Sequence, residues 1–159
     1  MSGYRRVCCP VDFSEPSRLA LVEAARLARG EGASLTLVHV REPPVTLLEA
    51  PFSPPPVWPE DPPPPELETW RAEAERLRGA PVDSVLLGQP VAPAITAFAR
   101  QRGVDLIVLA SHGRTGLARV VLGSVAEEVV RTAPCPVLVV KAPVERKKEA
   151  ETLPVSYPP

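Results

Sequence analysis

The chain has 159 residues, a formal net charge of −1 and 45% hydrophobic residues, enough for one domain with a sizeable core. The near-zero charge gives no footprint for nucleic acid, no apolar run is long enough to span a membrane, and the N-terminus lacks the basic-then-apolar layout of a secretion signal, so a cytoplasmic protein is expected. Cys8, Cys9 and Cys135 are odd in number and lie in or beside strand-like runs, which argues for reduced core thiols, and two histidines without a CxxC supply no metal cluster.

Arg6 to Val11 reads as the first strand, ending at Pro10-Val11-Asp12. Ser14 then caps a helix to about Arg29, with Pro16 tolerated in its first turn and Ala20, Ala24, Leu27 and Ala28 as the inward stripe. Gly30 or Gly32 ends it. Leu35 to Val40, LTLVHV, is the second strand, which makes a β-α-β unit and a parallel pair. Asp12 sits at the carboxyl end of a strand, where open α/β sheets bind ligands; a loop-capping aspartate is the equal alternative. The loop carries neither the Gly-rich dinucleotide fingerprint nor GxxxxGK[ST], which removes dehydrogenase and P-loop readings. His39, alone within its strand, reads as structural rather than catalytic.

Between residues 43 and 65 fall eleven of the chain's 22 prolines, a density at which no regular helix or strand survives. The expectation is an extended surface excursion, either a passive loop or a lid or docking segment anchored by Phe52 and Trp58. Glu66 to Arg78 returns to helix with Leu67, Trp70, Ala74 and Leu77 on one face, and Val82 to Leu87 is the third strand. After the turn Gly88-Gln-Pro90, Val91 to Arg102 is a helix burying Ala94, Ile95, Phe98 and Ala99 and ending at Gly103.

Asp105 to Leu109 is a short β-branched and aliphatic run, suited to a strand buried on both faces, that stops at Ala110. Ser111-His-Gly-Arg-Thr-Gly116 follows, a small polar loop whose N–H groups can wrap an anion. Gly123–Ser124 then opens a helix to Thr132 with Val125, Ala126, Val129 and Val130 at helical spacing. Its N-terminus favours phosphate through free N–H groups and the positive dipole end. An ordinary capping box, Ser124 with Glu127, explains the same residues without a ligand, and local physics leaves the two readings open. Beyond Pro134 and Pro136, Val137 to Val140 is a last strand at a sheet edge, and residues 143–159, with Arg146, Lys147 and Lys148, have the composition of a flexible tail.

The spacing from residue 110 to 124 resembles the nucleotide-binding signature of the universal stress protein family: glycine, two residues, glycine, nine residues, glycine, then Ser or Thr. Gly113, the nine residues Arg114 to Leu122, and Gly123–Ser124 match in register, while Ala110 takes the place of the first glycine. PVDFSEPS also resembles the family's opening segment. The resemblance implies a three-layer, Rossmann-like α/β sandwich of the adenine nucleotide alpha-hydrolase-like type with a five-stranded parallel sheet, one domain over residues 1–142 with 43–65 as an insertion. It implies an adenine nucleotide, ATP or AMP/ADP with Mg²⁺ on the phosphates, its base near Pro10, Asp12, Val40 and Leu109, with Val11 of the opening segment and Ala110 at the first motif position also in the binding set. The phosphates would meet Gly113, Gly123, Ser124 and Val125, with contacts from His112 and Arg114, and a homodimer would form through Val137 to Val140. No residue has the surroundings of a general base, which makes the nucleotide a signal with at most slow hydrolysis. A slow ATPase or phosphotransferase and a nucleotide-free dimeric scaffold are the rival readings.

Overall fold

The computed structural model describes residues 3–41, 62–112 and 122–141. The expected anchors Phe52 and Trp58, the loop residues Gly113 and Arg114, and the tail 143–159 lie outside them. Nine elements alternate along the described chain: β1 (Arg6–Pro10), α1 (Glu15–Glu31), β2 (Ser34–Val40), α2 (Pro65–Arg78), β3 (Asp83–Leu87), α3 (Val91–Arg102), β4 (Leu106–Ala110), α4 (Ser124–Thr132) and β5 (Val137–Val140). The five strands form one parallel sheet in the order β3-β2-β1-β4-β5.

Side chains alternate across this sheet, so β1, β2 and β4 each feed two cores. Val7 and Cys9 of β1, Leu35 and Leu37 of β2, and Leu106 and Val108 of β4 pack on the side of α1 and α2. Cys8, Val38, Val40, Ile107 and Leu109 face α3 and α4. Both faces are covered, which is why the central strands read as unbroken apolar runs. Alanines 20, 24, 25 and 28 are fully buried on α1, and their small side chains let that helix lie close against the sheet.

The helix ends follow local chemistry. Ser14 Oγ accepts from Ser17 N at 3.3 Å at the start of α1, and of the two glycines expected to stop it, Gly32 does so, at φ 67°. α4 departs from its capping-box reading. Gly123 is its N-cap, no side chain caps it, Ser124 is already helical, and Glu127 Oε1 instead accepts from Arg131 Nη2 at 2.6 Å. Its apolar set is also narrower than the spacing suggests: Ala126 and Val129 are buried, whereas Val125 and Val130 are 38% and 46% exposed. Two residues three apart fill the contact with α3 and the sheet, and their outer neighbours overhang it.

At the amino ends of the strands, Asp105 ties β4 to β1. Its carboxylate accepts from the Arg5 and Arg6 N–H groups at 2.8 and 3.0 Å, and its own N–H donates to Arg6 O at 3.0 Å. The β1–β4 register itself comprises only Val7↔Leu106 and Cys8↔Ile107. β1 and β4 carry opposite halves of the site described next.

Candidate functional site

α1 leaves β1 toward one face of the sheet and α4 follows β4 onto the other, so the loops after these neighbouring strands part. Such a parting opens a crevice at the carboxyl ends of the strands. A cavity of about 760 Å³ lies there. Its wall contains Pro10, Val11 and Asp12 from the end of β1, Val40 from the end of β2, Leu109, Ala110 and His112 from β4 and its loop, and Gly123, Ser124 and Val125 from the entrance of α4. Two segments a hundred residues apart in sequence thus share one concavity.

Asp12 is shaped by its own loop. Its Oδ1 accepts from Ser14 N at 3.0 Å and from the Ser14 hydroxyl, while Ser17 Oγ accepts from Asp12 N at 3.3 Å. The loop-capping role weighed from sequence is therefore present, and the residue lines the cavity as well. Phe13, next in the chain, has φ 64° and is the single non-glycine residue with left-handed backbone among those described. His39, which also lines the cavity, places Nδ1 2.8 Å from Val11 O.

On the other side, Ser111 N donates to Val140 O at 2.9 Å, which extends the β4–β5 ladder by one residue. Ser111 O accepts from Gly123 N at 2.8 Å, which ties the end of β4 to the start of α4. Gly123 has ordinary extended backbone, φ −61° and ψ 156°; its missing side chain matters because a Cβ would come 3.2 Å from Ser111 O. The first-turn N–H groups of an α-helix have no partner within the helix, and no side-chain cap occupies them at α4. His112 Nδ1 lies 3.0 Å from Ser111 Oγ, and no carboxylate is bonded to that imidazole among the described residues.

The wall also includes residues that the sequence reading did not single out. Arg41 comes one residue past the end of β2, where the strand-end rule applied to every strand would have found it; Ser111, already read as the start of the anion-binding loop, holds the same place after β4. Leu86, Val91 and Ile95 supply an apolar floor, and no sequence signal separates them from ordinary core. Pro62 and Pro64 add a rim held to the sheet, Arg41 Nη2 donating to Pro62 O at 3.5 Å and Gln89 Nε2 to Arg41 O at 3.2 Å. The thiols play no visible part. Cys8 and Cys9 are fully buried, and burial pushes the Cys9 pKa up to about 12. Among the described residues no group of three His, Cys, Asp or Glu side chains is placed to hold a metal ion, and no helix is long and apolar enough to cross a membrane.

The apolar floor, polar end and size of the cavity suit a small ligand with one flat and one anionic end. The profile of the universal stress protein family matches residues 3–141. A universal stress protein of Thermus aquaticus is 35% identical over 143 residues, covering 87% of this chain and 99% of that one. Universal stress protein MJ0531 of Methanocaldococcus jannaschii is 43% identical over 84 residues, which span 52% of this chain and 42% of the relative. Among solved structures, a universal stress protein in complex with cAMP superposes with a TM-score of 0.67 at 21% identity, over 89% of this chain and all of that one, which shows a shared fold.

Proposed function

Because the chain belongs to the universal stress protein family, we propose that it binds an adenine nucleotide, ATP or its AMP and ADP relatives, in the crevice between β1 and β4 and acts as a nucleotide-dependent sensor or switch. The observation that carries this reading is the convergence of Pro10, Asp12 and Val40 with Leu109, Gly123 and Ser124 on one cavity. The base lies against Val40, Leu109 and the floor of Leu86 and Ile95, with Asp12 at its edge. The phosphates lie at the α4 entrance, where uncapped N–H groups and the helix dipole favour negative charge. Gly113 and Arg114 belong to the same anion-binding loop in this reading. Mg²⁺ held by those phosphates rather than by side chains would supply charge neutralisation there.

A signalling role is favoured over rapid hydrolysis because, among the described residues, no carboxylate is bonded to the His112 imidazole to orient it as a general base. We also read residues 1–142 as a single domain, with 43–65 as a surface insertion and 143–159 as a tail. Two copies pair through the outer edge of β5, where Leu138 is 38% exposed and the strand's outer backbone groups offer a template for a second strand.

Calorimetry with ATP, AMP and cAMP, together with identification of whatever small molecule leaves the purified native protein on denaturation, tests the reading. Saturable heat with at least one nucleotide is expected. Silence with all three, and nothing released, would leave the nucleotide-free scaffold.

A further inference from the structure

The geometry points to His39 as a positioning residue for the nucleotide cavity: by hydrogen-bonding the Val11 carbonyl and facing the Phe13 ring, it holds the turn that sets Asp12 in the cavity wall. This rests on the nucleotide reading and adds to it a residue whose role runs through its neighbours.

The observation that calls for an explanation is Phe13. A bulky side chain at φ 64° persists only where its surroundings over-determine it, and such residues gather at ligand sites. Two rings hold this one. The His39 ring lies 4.5 Å away, centroid to centroid and tilted by 36°, and Trp70 of α2 meets it edge-on at 5.4 Å and 89°. Both arrangements fall within the range of favourable aromatic pairs.

The backbone on either side is fixed with equal economy. Val11 N donates to Val38 O at 2.8 Å, and Val11 O takes the 2.8 Å contact from His39 Nδ1. A carbonyl only accepts, so Nδ1 carries the proton and the tautomer is set. Both polar groups of Val11 are therefore tied to β2 and both faces of the following turn are occupied. Asp12 between them has its carboxylate drawn onto Ser14 and its N–H onto Ser17. Removing the His39 side chain takes a partner from the Val11 carbonyl and one of the two rings from Phe13. Relaxation of φ at Phe13 toward the ordinary region would then rotate Asp12 out of the wall. Packing alone would make His39 a contributor to stability with no particular bearing on the ligand.

The two roles separate by experiment, in a Trp58→Phe background that leaves Trp70 as the sole tryptophan. His39→Phe keeps a ring and removes the donor; His39→Asn keeps a donor near the Nδ1 position and removes the ring; Phe13→Gly frees φ and removes the stack. Calorimetry with ATP should show His39→Phe binding about tenfold more weakly, the scale of one lost hydrogen bond. His39→Asn, which restores the donor without the ring, should recover part of that loss, to within about threefold of the parent. Phe13→Gly should lose about as much as His39→Phe although its backbone is relieved, with Trp70 emission shifted in the same variant. Parent-like affinity in His39→Phe, or no recovery in His39→Asn, would overturn the assignment. So would losses that simply follow the fall in Tm across the series. Absence of ATP binding by the parent would instead remove the nucleotide reading on which the assignment stands.

Discussion

Asp105 offers the sharpest test of how the two halves of the site are held together. Its carboxylate receives the Arg5 and Arg6 N–H groups at 2.8 and 3.0 Å, and these bonds supplement a β1–β4 register of two residue pairs. Hydrogen bonds to a charged acceptor contribute about 1.5–3 kcal/mol each when buried. Asp105 is half-buried, so the low end applies, and Asp105→Ala should lose about 2–3 kcal/mol for the pair. For a chain of this length each kcal/mol lowers Tm by about 2–4 °C, which places the expected fall at roughly 5–10 °C. Asp105→Asn retains one acceptor oxygen and turns an amide NH₂ toward the other backbone donor, so it should recover less than half of the loss. Thermal unfolding followed by circular dichroism, with urea midpoints as a second measure, reads both. Because the clamp lies at the opposite ends of the strands from the cavity, ATP affinity of the folded protein should change less than twofold, a bound of about 0.4 kcal/mol. A Tm fall within about 1 °C of zero would refute the clamp as a stabilising element, since it corresponds to less than about 0.5 kcal/mol.

Gly123→Val should destabilise by about 1–3 kcal/mol, because a Cβ 3.2 Å from Ser111 O must push a carbonyl whose residue is also bonded to Val140. ATP binding should weaken with it, while Gly88→Ala, where nothing lies within 4 Å of the added atom, should stay within about 0.5 kcal/mol of the parent. Burial holds the Cys9 thiol protonated, its pKa raised from 9.0 to about 12, so its contribution is fully present below pH 9 and is lost as pH rises toward 12, where the unfolded chain ionises first. Tm should therefore fall more steeply above pH 9 in the parent than in Cys9→Ala; parallel curves would contradict the assignment. Leu138→Lys places a charge on the exposed face of the edge strand and should convert a dimer to monomer in light scattering. A parent protein that is already monomeric at micromolar concentration would remove the β5 interface.

The alternation of elements was legible because each rests on a local signal. Buried parallel strands appear as contiguous apolar runs, such as Leu106 to Ala110, and α1, α2 and α3 stop where a glycine accepts left-handed backbone, as Gly103 does at φ 61° beside the Arg6 guanidinium. Asp12, Gly123 and Ser124 were legible as candidates because strand ends and helix starts are positions that topology assigns. What the sequence hid is tertiary. Phe13 carries no residue-type hint of positive φ, since the reason lies in His39 and Trp70, distant in the chain. Leu86 and Ile95 look like any core residues until the sheet shows which end of them is open. Val125 and Val130 match the helical period, yet α4 lies near the sheet's edge and only its inner stripe is covered.

The two local readings of the α4 entrance make opposite demands on the same atoms. A capping box spends the helix's first donors on Ser124 and Glu127 and leaves an anion little to bind. In the fold the cap falls one residue earlier, on a glycine whose N–H is already committed to Ser111 O, and Glu127 is turned along the helix toward Arg131. A first turn without a side-chain cap is ordinarily satisfied by water. Here it faces a cavity that Val40, Leu86 and Ile95 also line, where water has few partners. A ligand that brings an anion to one end and a flat apolar group to the other relieves both conditions at once. The cavity thereby supports the proposal of an anionic ligand with a flat apolar group, a class to which adenine nucleotides belong.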